Sequence, residues 1–261
     1  MTISTSTHVD TADLTRRVQE VYRAVAEQPG GDYHFELGRA LAHRLGYPVE
    51  LLDQIPEQAL ESFAGVGYFF DIAQPAAGER VLDLGSGSGT DVFAAAALVG
   101  PTGHVTGIDM TPAQLAKAER LRASAEISSV EFTAARIEDL PLADATVELV
   151  ISNGVVNLSP DKPAVFRAAA RVLVPGGRLA LADIVTERPL TEQISCNAEL
   201  WAACIGGAAQ RDTYLAAIAD AGLVVRAVRT NHKYRFLSGS AQAATETYGV
   251  TSISLLAVKP A

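Results

Sequence analysis

A short apolar run that breaks into three spaced glycines constrains this 261-residue chain more than anything else in it. Val81, Leu82 and Leu84 read as a buried strand, Gly85, Gly87 and Gly89 follow, and a helix-forming run begins at Thr90. Glycine lets the backbone turn tightly and approach a ligand with no Cβ in the way. A second apolar strand ends in Asp109, about the distance on at which an open α/β sheet sets an acid against ribose hydroxyls. Together these features predict a nucleoside-bearing cofactor laid across the carboxyl ends of two parallel strands.

The neighbouring residues narrow the cofactor. A dinucleotide fingerprint would carry a further glycine at position 90, to pack helix on strand beneath a pyrophosphate, and Thr90 stands there. No Gly-Lys-Ser/Thr ending of a P-loop is present. The turn starts from Asp83, whose carboxylate repels a pyrophosphate and attracts an ammonium or sulfonium group. Asp83-Leu-Gly-Ser-Gly-Ser-Gly89 with Asp109 resembles motif I and its acidic partner in class I S-adenosylmethionine-dependent methyltransferases. The competing reading is a flavin or nicotinamide fold with a degenerate turn.

That resemblance implies an α/β fold, a doubly wound, mostly parallel sheet of seven strands whose last pair is antiparallel. It implies S-adenosylmethionine as cofactor and S-adenosylhomocysteine as product. Asp83, Gly85, Ser86, Gly87 and Gly89 would face the methionine portion, Asp109 the ribose diol, and Met110 the adenine. Ile137 and Glu138 match the family's adenine-contacting segment, and Asn153 a position at the methionine end. An ordinary solvated loop carboxylate is the competing reading of Glu138.

Residues 11–75 read differently from the rest and are expected to form an N-terminal helical cap over the cofactor end of the sheet, after a disordered tail at 1–10. Leu14, Val18, Val21, Tyr22 and Val25 recur at helical spacing; Phe35, Leu37, Leu41 and Leu45 form a second stripe ending at Gly46. A third helical segment is expected around Pro48 to Phe63. From position 76 strands and helices alternate, the pattern of a parallel sheet. Strands are expected at 80–84, 104–109, 130–134, 146–152 and 177–184, and helices near 90–99, 112–125, 160–173 and 211–221. Pro175-Gly176-Gly177 reads as a turn. Two more β-rich stretches, 223–229 and 252–258, show no obvious crossover helix between them and so are candidates for antiparallel pairing.

Bulk properties exclude several classes. A net charge of −9 without a run of Lys or Arg argues against a nucleic-acid partner, which needs a basic face. No apolar stretch is long enough to span a bilayer and no secretory leader is apparent. The two cysteines, Cys196 and Cys204, fit a reducing cytoplasm. On one continuous helix they would stand about 12 Å apart, too far for a disulfide. A metal site is not expected. A small-molecule acceptor is, with the chain a monomer or homodimer.

Methyl transfer from a sulfonium is an in-line displacement governed by proximity, so a general base matters only for an acceptor that arrives protonated. His34 is the candidate for that task, with His43 behind it, and Tyr33 and Cys204 complete the candidate catalytic set, Tyr33 as a possible acceptor-pocket residue. Tyr68, Asn157 and Trp201 are possible acceptor-pocket residues by position; packing is the competing reading of each.

The second half sharpens the resemblance. Ile151-Ser-Asn-Gly-Val-Val-Asn-Leu-Ser-Pro-Asp-Lys162, Arg171-Val-Leu-Val-Pro-Gly-Gly-Arg-Leu-Ala180 and Cys204-Ile-Gly-Gly-Ala208 look like arsenite methyltransferases, as do Thr90-Asp91 and Gly107-Ile-Asp-Met-Thr-Pro112. The family pattern carries cysteines where this chain has Val66, between Gly65 and Gly67, and Gly154; Cys204 alone remains. Trivalent arsenic is soft and is held by two or three thiolates. The expectation is therefore a methyltransferase of arsenite type turned to a small organic acceptor, Val66 and Gly154 making a less polar, roomier pocket with Cys204 at its edge. A trivalent-arsenical methyltransferase, and a regulatory protein that binds the cofactor without transferring methyl, are the alternatives.

Overall fold

A computed structural model describes residues 10–195, 201, 205–237 and 239–261. Its sheet takes the strands β1 (Arg80–Leu84), β2 (His104–Asp109), β3 (Val130–Ala134), β4 (Val147–Asn153), β5 (Leu173–Thr186), β6 (Ala209–Gln210), β7 (Val224–Thr230) and β8 (Thr251–Val258). The spatial order is β3-β2-β1-β4-β5-β8-β7, with the two-residue β6 beside β5. β1 to β5 run parallel, and β8 is antiparallel to both β5 and β7. The sheet thus has eight strands, the seven of the main path and the short β6.

After β1 the chain moves outward to β2 and β3, then returns to β4 on the other side of β1. Such a switch point opens a crevice outside the carboxyl ends of the strands, where ligands of open α/β sheets bind. Asp83, in register with Gly107 of β2 and Ile151 of β4, stands at that point.

The helices α6 (Thr90–Val99), α7 (Pro112–Ser124) and α8 (Lys162–Val172) follow β1, β2 and β4. α6 is buried on nearly every side, which explains why it is apolar all round. α8 is amphipathic and starts where the Asp161 carboxylate caps the amide of Ala164 at 2.9 Å. Helix Arg211–Asp220 covers β7 and β6 and packs on α8.

The first 75 residues hold α1 (Thr11–Glu27), α2 (Arg39–Leu45), α3 (Val49–Leu52), α4 (Glu57–Glu61) and α5 (Phe70–Ala73). The single helix expected over Pro48 to Phe63 is two short ones, because Pro56 ends one run and opens the next. α1 buries Leu14, Val18 and Val25 and is tied to the sheet domain by polar contacts. Gln19 donates to the Met110 carbonyl at 2.8 Å, Gln114 to the Tyr22 carbonyl at 2.8 Å, and Lys117 Nζ to the Ala26 carbonyl at 3.3 Å.

Two further expectations are corrected. Pro175-Gly176-Gly177 lies within β5 and is no separate turn: Gly176 donates to Lys259 O and Lys259 to Gly177 O, so ladder pairing continues through it. Between β7 and β8 lies helix Gly239–Tyr248, whose Ala-rich sequence shows little amphipathic contrast and buries Ala244. β7 and β8 nonetheless pair antiparallel. The core divides into two clusters, one on each face of the sheet. No helix among the described residues is long and apolar enough to cross a membrane.

Candidate active site

A deep cavity opens over the carboxyl ends of β1, β2 and β4. Its floor is the loop after β1, where Gly85, Ser86, Gly87 and Ser88 face it; its walls are Asp83, Asp109, Met110, Ile137, Glu138 and Asn153. Gly89, expected to face the ligand too, stands outside the lining. A Cβ there would come within 2.8 Å of Phe132 and 2.9 Å of Phe93, so this glycine lets α6 seat against the sheet.

Asp109 fixes the loop. Its carboxylate accepts from the Gly87 amide at 2.9 Å through one oxygen and from the Thr111 amide at 2.7 Å through the other. Gly87 holds φ +53 to present its amide this way, a conformation that side chains with a Cβ rarely adopt.

The cavity's charge is one-sided. Asp83, Asp91 and Asp109 line it, and Arg136, 43% exposed at its rim, is the one basic side chain among the described lining residues. Burial pushes the Asp83 carboxyl well above its usual range, with repulsion from Asp91 and Asp109 adding to it. Burial raises Asp91 to about 6 against the pull of Tyr47 and Asn153, and raises Asp109 despite its backbone bonds. Carboxylates stored this way favour a cationic ligand, which restores their ionised form.

The donor set fits S-adenosylmethionine. Three carboxylates suit its ammonium, sulfonium and ribose diol; Met110 and Ile137 offer an apolar slot for adenine. Ser86 Oγ is buried without a hydrogen-bond partner among the described residues and borders the cavity, an acceptor and donor for a polar ligand. A pyrophosphate would meet the acids unscreened.

Several lining residues were not anticipated as site residues. Leu14, Thr15, Val18 and Tyr22 of α1 form one wall, and Asp91 opens the first turn of α6. The α1 residues belong to the apolar stripe that predicts a helix, and spacing does not separate a core-facing stripe from a cavity-facing one. Across the rim Arg136 reaches Thr15 Oγ1 at 3.3 Å, while Glu138 accepts from Ser159 Oγ at 2.6 Å.

Tyr33 and His34 do not line the cavity. The Tyr33 hydroxyl donates to the Gln28 carbonyl at 2.8 Å, its ring stacks on Phe35, and His34 is exposed. Cys196 and Cys204 lie outside the described residues. Trp201 donates from Nε1 to the Ser195 carbonyl at 2.6 Å, and Asn157 is fully buried with its backbone amide on Asp183. Tyr68 packs edge-on against Tyr47. Val66 is buried and stays out of the lining, whereas Gly154 borders it. A Cβ on Gly154 would stand 3.2 Å from Val66 Cγ1, so these two positions touch. Hydrocarbon fills that junction, so it does not add room to the cavity.

Known proteins place the chain. The sequence profile of the family described as "Methyltransferase domain" matches residues 75–222. The arsenite methyltransferase of Halobacterium salinarum is 41% identical over 193 residues, 74% of this chain and 49% of that protein. The human arsenite methyltransferase is 43% identical over 137 residues, 49% of this chain and 36% of that protein. The chain thus spans about half the length, or less, of the curated relatives it matches. Among solved structures, an arsenic (III) S-adenosylmethionine methyltransferase from Chlamydomonas reinhardtii aligns with TM-score 0.63 and 30% identity over 86% of this chain and 74% of its own. The geranyl diphosphate C-methyltransferase of Streptomyces coelicolor aligns with TM-score 0.68 over 99% of this chain and all of its own, at 20% identity, which speaks for the shared fold alone.

Proposed function

This chain belongs to the S-adenosylmethionine-dependent methyltransferases and is arsenite-methyltransferase-like, and from that premise we propose that it transfers a methyl group to a small organic acceptor. The observation that carries the proposal is the acid-lined, lysine-free cavity at the sheet's switch point, with an unpartnered serine hydroxyl on its floor, as formed by the described residues.

S-adenosylmethionine, when bound, supplies a methyl group on a positively charged sulfur. The chain's task is then alignment and exclusion of water. Asp109 takes the ribose diol, and Asp83 and Asp91 balance the positive charge. α1 closes the cavity with Leu14, Val18 and Tyr22, so the transfer proceeds away from bulk solvent. The described lining holds no histidine, which suits an acceptor that arrives already nucleophilic.

The acceptor side argues for an organic acceptor over arsenic. The relatives are named for arsenite, yet Val66 and Gly154 meet as hydrocarbon against glycine. A soft metalloid needs converging thiolates, and neither residue of this junction offers one. We further read the chain as cytoplasmic, a monomer or homodimer, and without a nucleic-acid partner, in keeping with its charge of −9.

The test is S-adenosylhomocysteine formation with a panel of phenols, amines, thiols and carboxylates, and with arsenite plus excess thiol. Turnover is expected with an organic acceptor and not with arsenite. Arsenite turnover that disappears in Cys204→Ala would replace this reading by the arsenical one. Tight cofactor binding with silence across the whole panel would favour a binding protein without methyl transfer.

A further inference from the structure

Asp91 borders the cofactor cavity on one side and closes a hydrogen-bond chain on the other. Its Oδ1 accepts from the buried Tyr47 hydroxyl, and its Oδ2 accepts from Asn153 Nδ2 at 3.0 Å. The Tyr47 oxygen in turn lies 3.1 Å from Asn153 Nδ2. With its amide nitrogen oriented by these two, Asn153 directs Oδ1 at the loop between α4 and α5. It accepts from the Val66 amide at 2.8 Å and lies 3.4 Å from the Gly67 amide, and Nδ2 reaches Gly67 O at 3.0 Å. The opposite side of that loop hangs on β8, where Ser252 Oγ donates to Val66 O at 2.7 Å and Ser254 Oγ to Tyr68 O at 2.9 Å. Val66 is the residue that meets Gly154 on the acceptor side.

We infer that Tyr47 and Asn153 are positioning residues that couple the cofactor cavity, through Asp91, to the acceptor-side loop at Val66 and Gly67. The inference rests on the reading of the cavity as an S-adenosylmethionine site and goes beyond it, since nothing in that reading requires the two halves to communicate.

The physical cause is the state of one carboxylate. In the cofactor-free chain Asp91 has Asp83 of β1 as an acidic neighbour, and burial pulls it toward protonation. A protonated carboxyl has weakened acceptor capacity for the two donors, Tyr47 and Asn153, that aim at it. A cation in the cavity holds Asp91 ionised, and hydrogen bonds to an ionised acceptor are roughly twice as strong as neutral ones. Asn153 is then locked, and with it the amides of Val66 and Gly67. Coupling of this kind is reciprocal, so an ordered loop also favours the cofactor.

Amide hydrogen exchange at Val66 and Gly67, with and without saturating S-adenosylmethionine, tests this independently of turnover. At about pH 5, where Asp91 of the cofactor-free chain is mostly protonated, the cofactor is expected to slow exchange at both amides by up to about tenfold in the unaltered chain. In Tyr47→Phe, which keeps the ring packed against Phe63 and Tyr68, and in Asp91→Asn, the gain should shrink to about threefold or less, while cofactor-free protection in β5 is unchanged. A full gain in both variants, or binding heat in the unaltered chain with no gain at Val66 and Gly67, overturns the coupling and leaves the cofactor site standing. Absence of binding heat overturns the cofactor reading and this inference with it. Should Tyr47→Phe fail to fold, Asp91→Asn decides by the same criterion.

Discussion

Two buried carboxylates toward the carboxyl ends of the strands that flank β4, Asp83 on β1 and Asp183 on β5, have opposite surroundings. Asp183 is fully buried and well supplied: Tyr214 donates its hydroxyl at 2.7 Å, and the amides of Asn157 and Ile184 donate at 2.9 and 2.8 Å. The positive charge of Lys162 stands near it, and desolvation lowers that ammonium to about 8. Asp83 is 2% exposed, borders the cavity, and has two other acids as its electrostatic neighbours. A buried charge needs a partner. Where the chain itself supplies the partners, the acid holds the fold together; where it supplies more acids, the partner is a ligand.

The largest effect should separate the two directly. Asp183→Ala strands the Tyr214 hydroxyl and two buried amides, and we expect a loss of about 3–5 kcal/mol of stability, the range for breaking a buried charged network. Asp83→Asn should leave stability unchanged or raise it by about 1 kcal/mol, because it removes an uncompensated buried charge. Urea denaturation of both variants checks the contrast, and equal losses would abolish it.

Next in size is Asp109→Ala, expected to weaken S-adenosylmethionine binding by about 1.5–3 kcal/mol through the lost diol contacts and the freed Gly87 amide. Calorimetry that finds unchanged affinity would remove the ribose assignment.

A pH series sharpens the comparison further. Asp91 and Asp183 both sit at about 6 in the folded chain against 3.8 unfolded. A group raised in this way contributes stability that is complete below 3.8 and lost as pH rises through about 6. The ligand-free chain should therefore gain about 1–3 kcal/mol per group as pH falls from neutrality toward the unfolded value, since each tenfold rise in proton affinity on folding is worth about 1.4 kcal/mol. Cofactor affinity should run the other way, falling as pH drops through about 6, because a cation binds the ionised acids. Asp91→Asn is expected to flatten both slopes and Asp183→Asn the stability slope alone. Thermal melts and calorimetry between about pH 5 and 7.5 read the two slopes separately.

The smallest effects belong to His34→Ala and Tyr33→Phe. Neither side chain reaches the cavity, and we expect less than about threefold change in kcat/KM and under about 0.5 kcal/mol in stability. A hundredfold loss in kcat at unchanged melting temperature would bring one of them back to the reacting atoms, by way of a movement of the cap.

The alternating half of the chain was legible because its signals are local. Val81-Leu82 and the glycines of the first turn, and Asp109 at the end of a strand, each declare their element within a few residues. The cap was legible in its first helix and in the second where it ends at Gly46, and misread only beyond, since Pro56 divides one expected helix into two. The helix before β8 escaped because its residues carry little apolar contrast for periodicity to detect. The shift of Val66 from cavity wall to buried plug was invisible for another reason: its contact with Gly154 joins positions far apart in sequence.

Residue order alone determined the parallel strands, the glycine turn after β1 and the acid at the end of β2, because backbone conformation and side-chain alternation are decided by near neighbours. Only the tertiary structure decided that Asp83, Asp91 and Asp109 share one cavity, that α1 forms one of its walls, and that Tyr47, Asp91 and Asn153 meet. Those outcomes depend on distances between segments separated by tens of residues, and electrostatic energy is set by distance and burial, not by position along the chain.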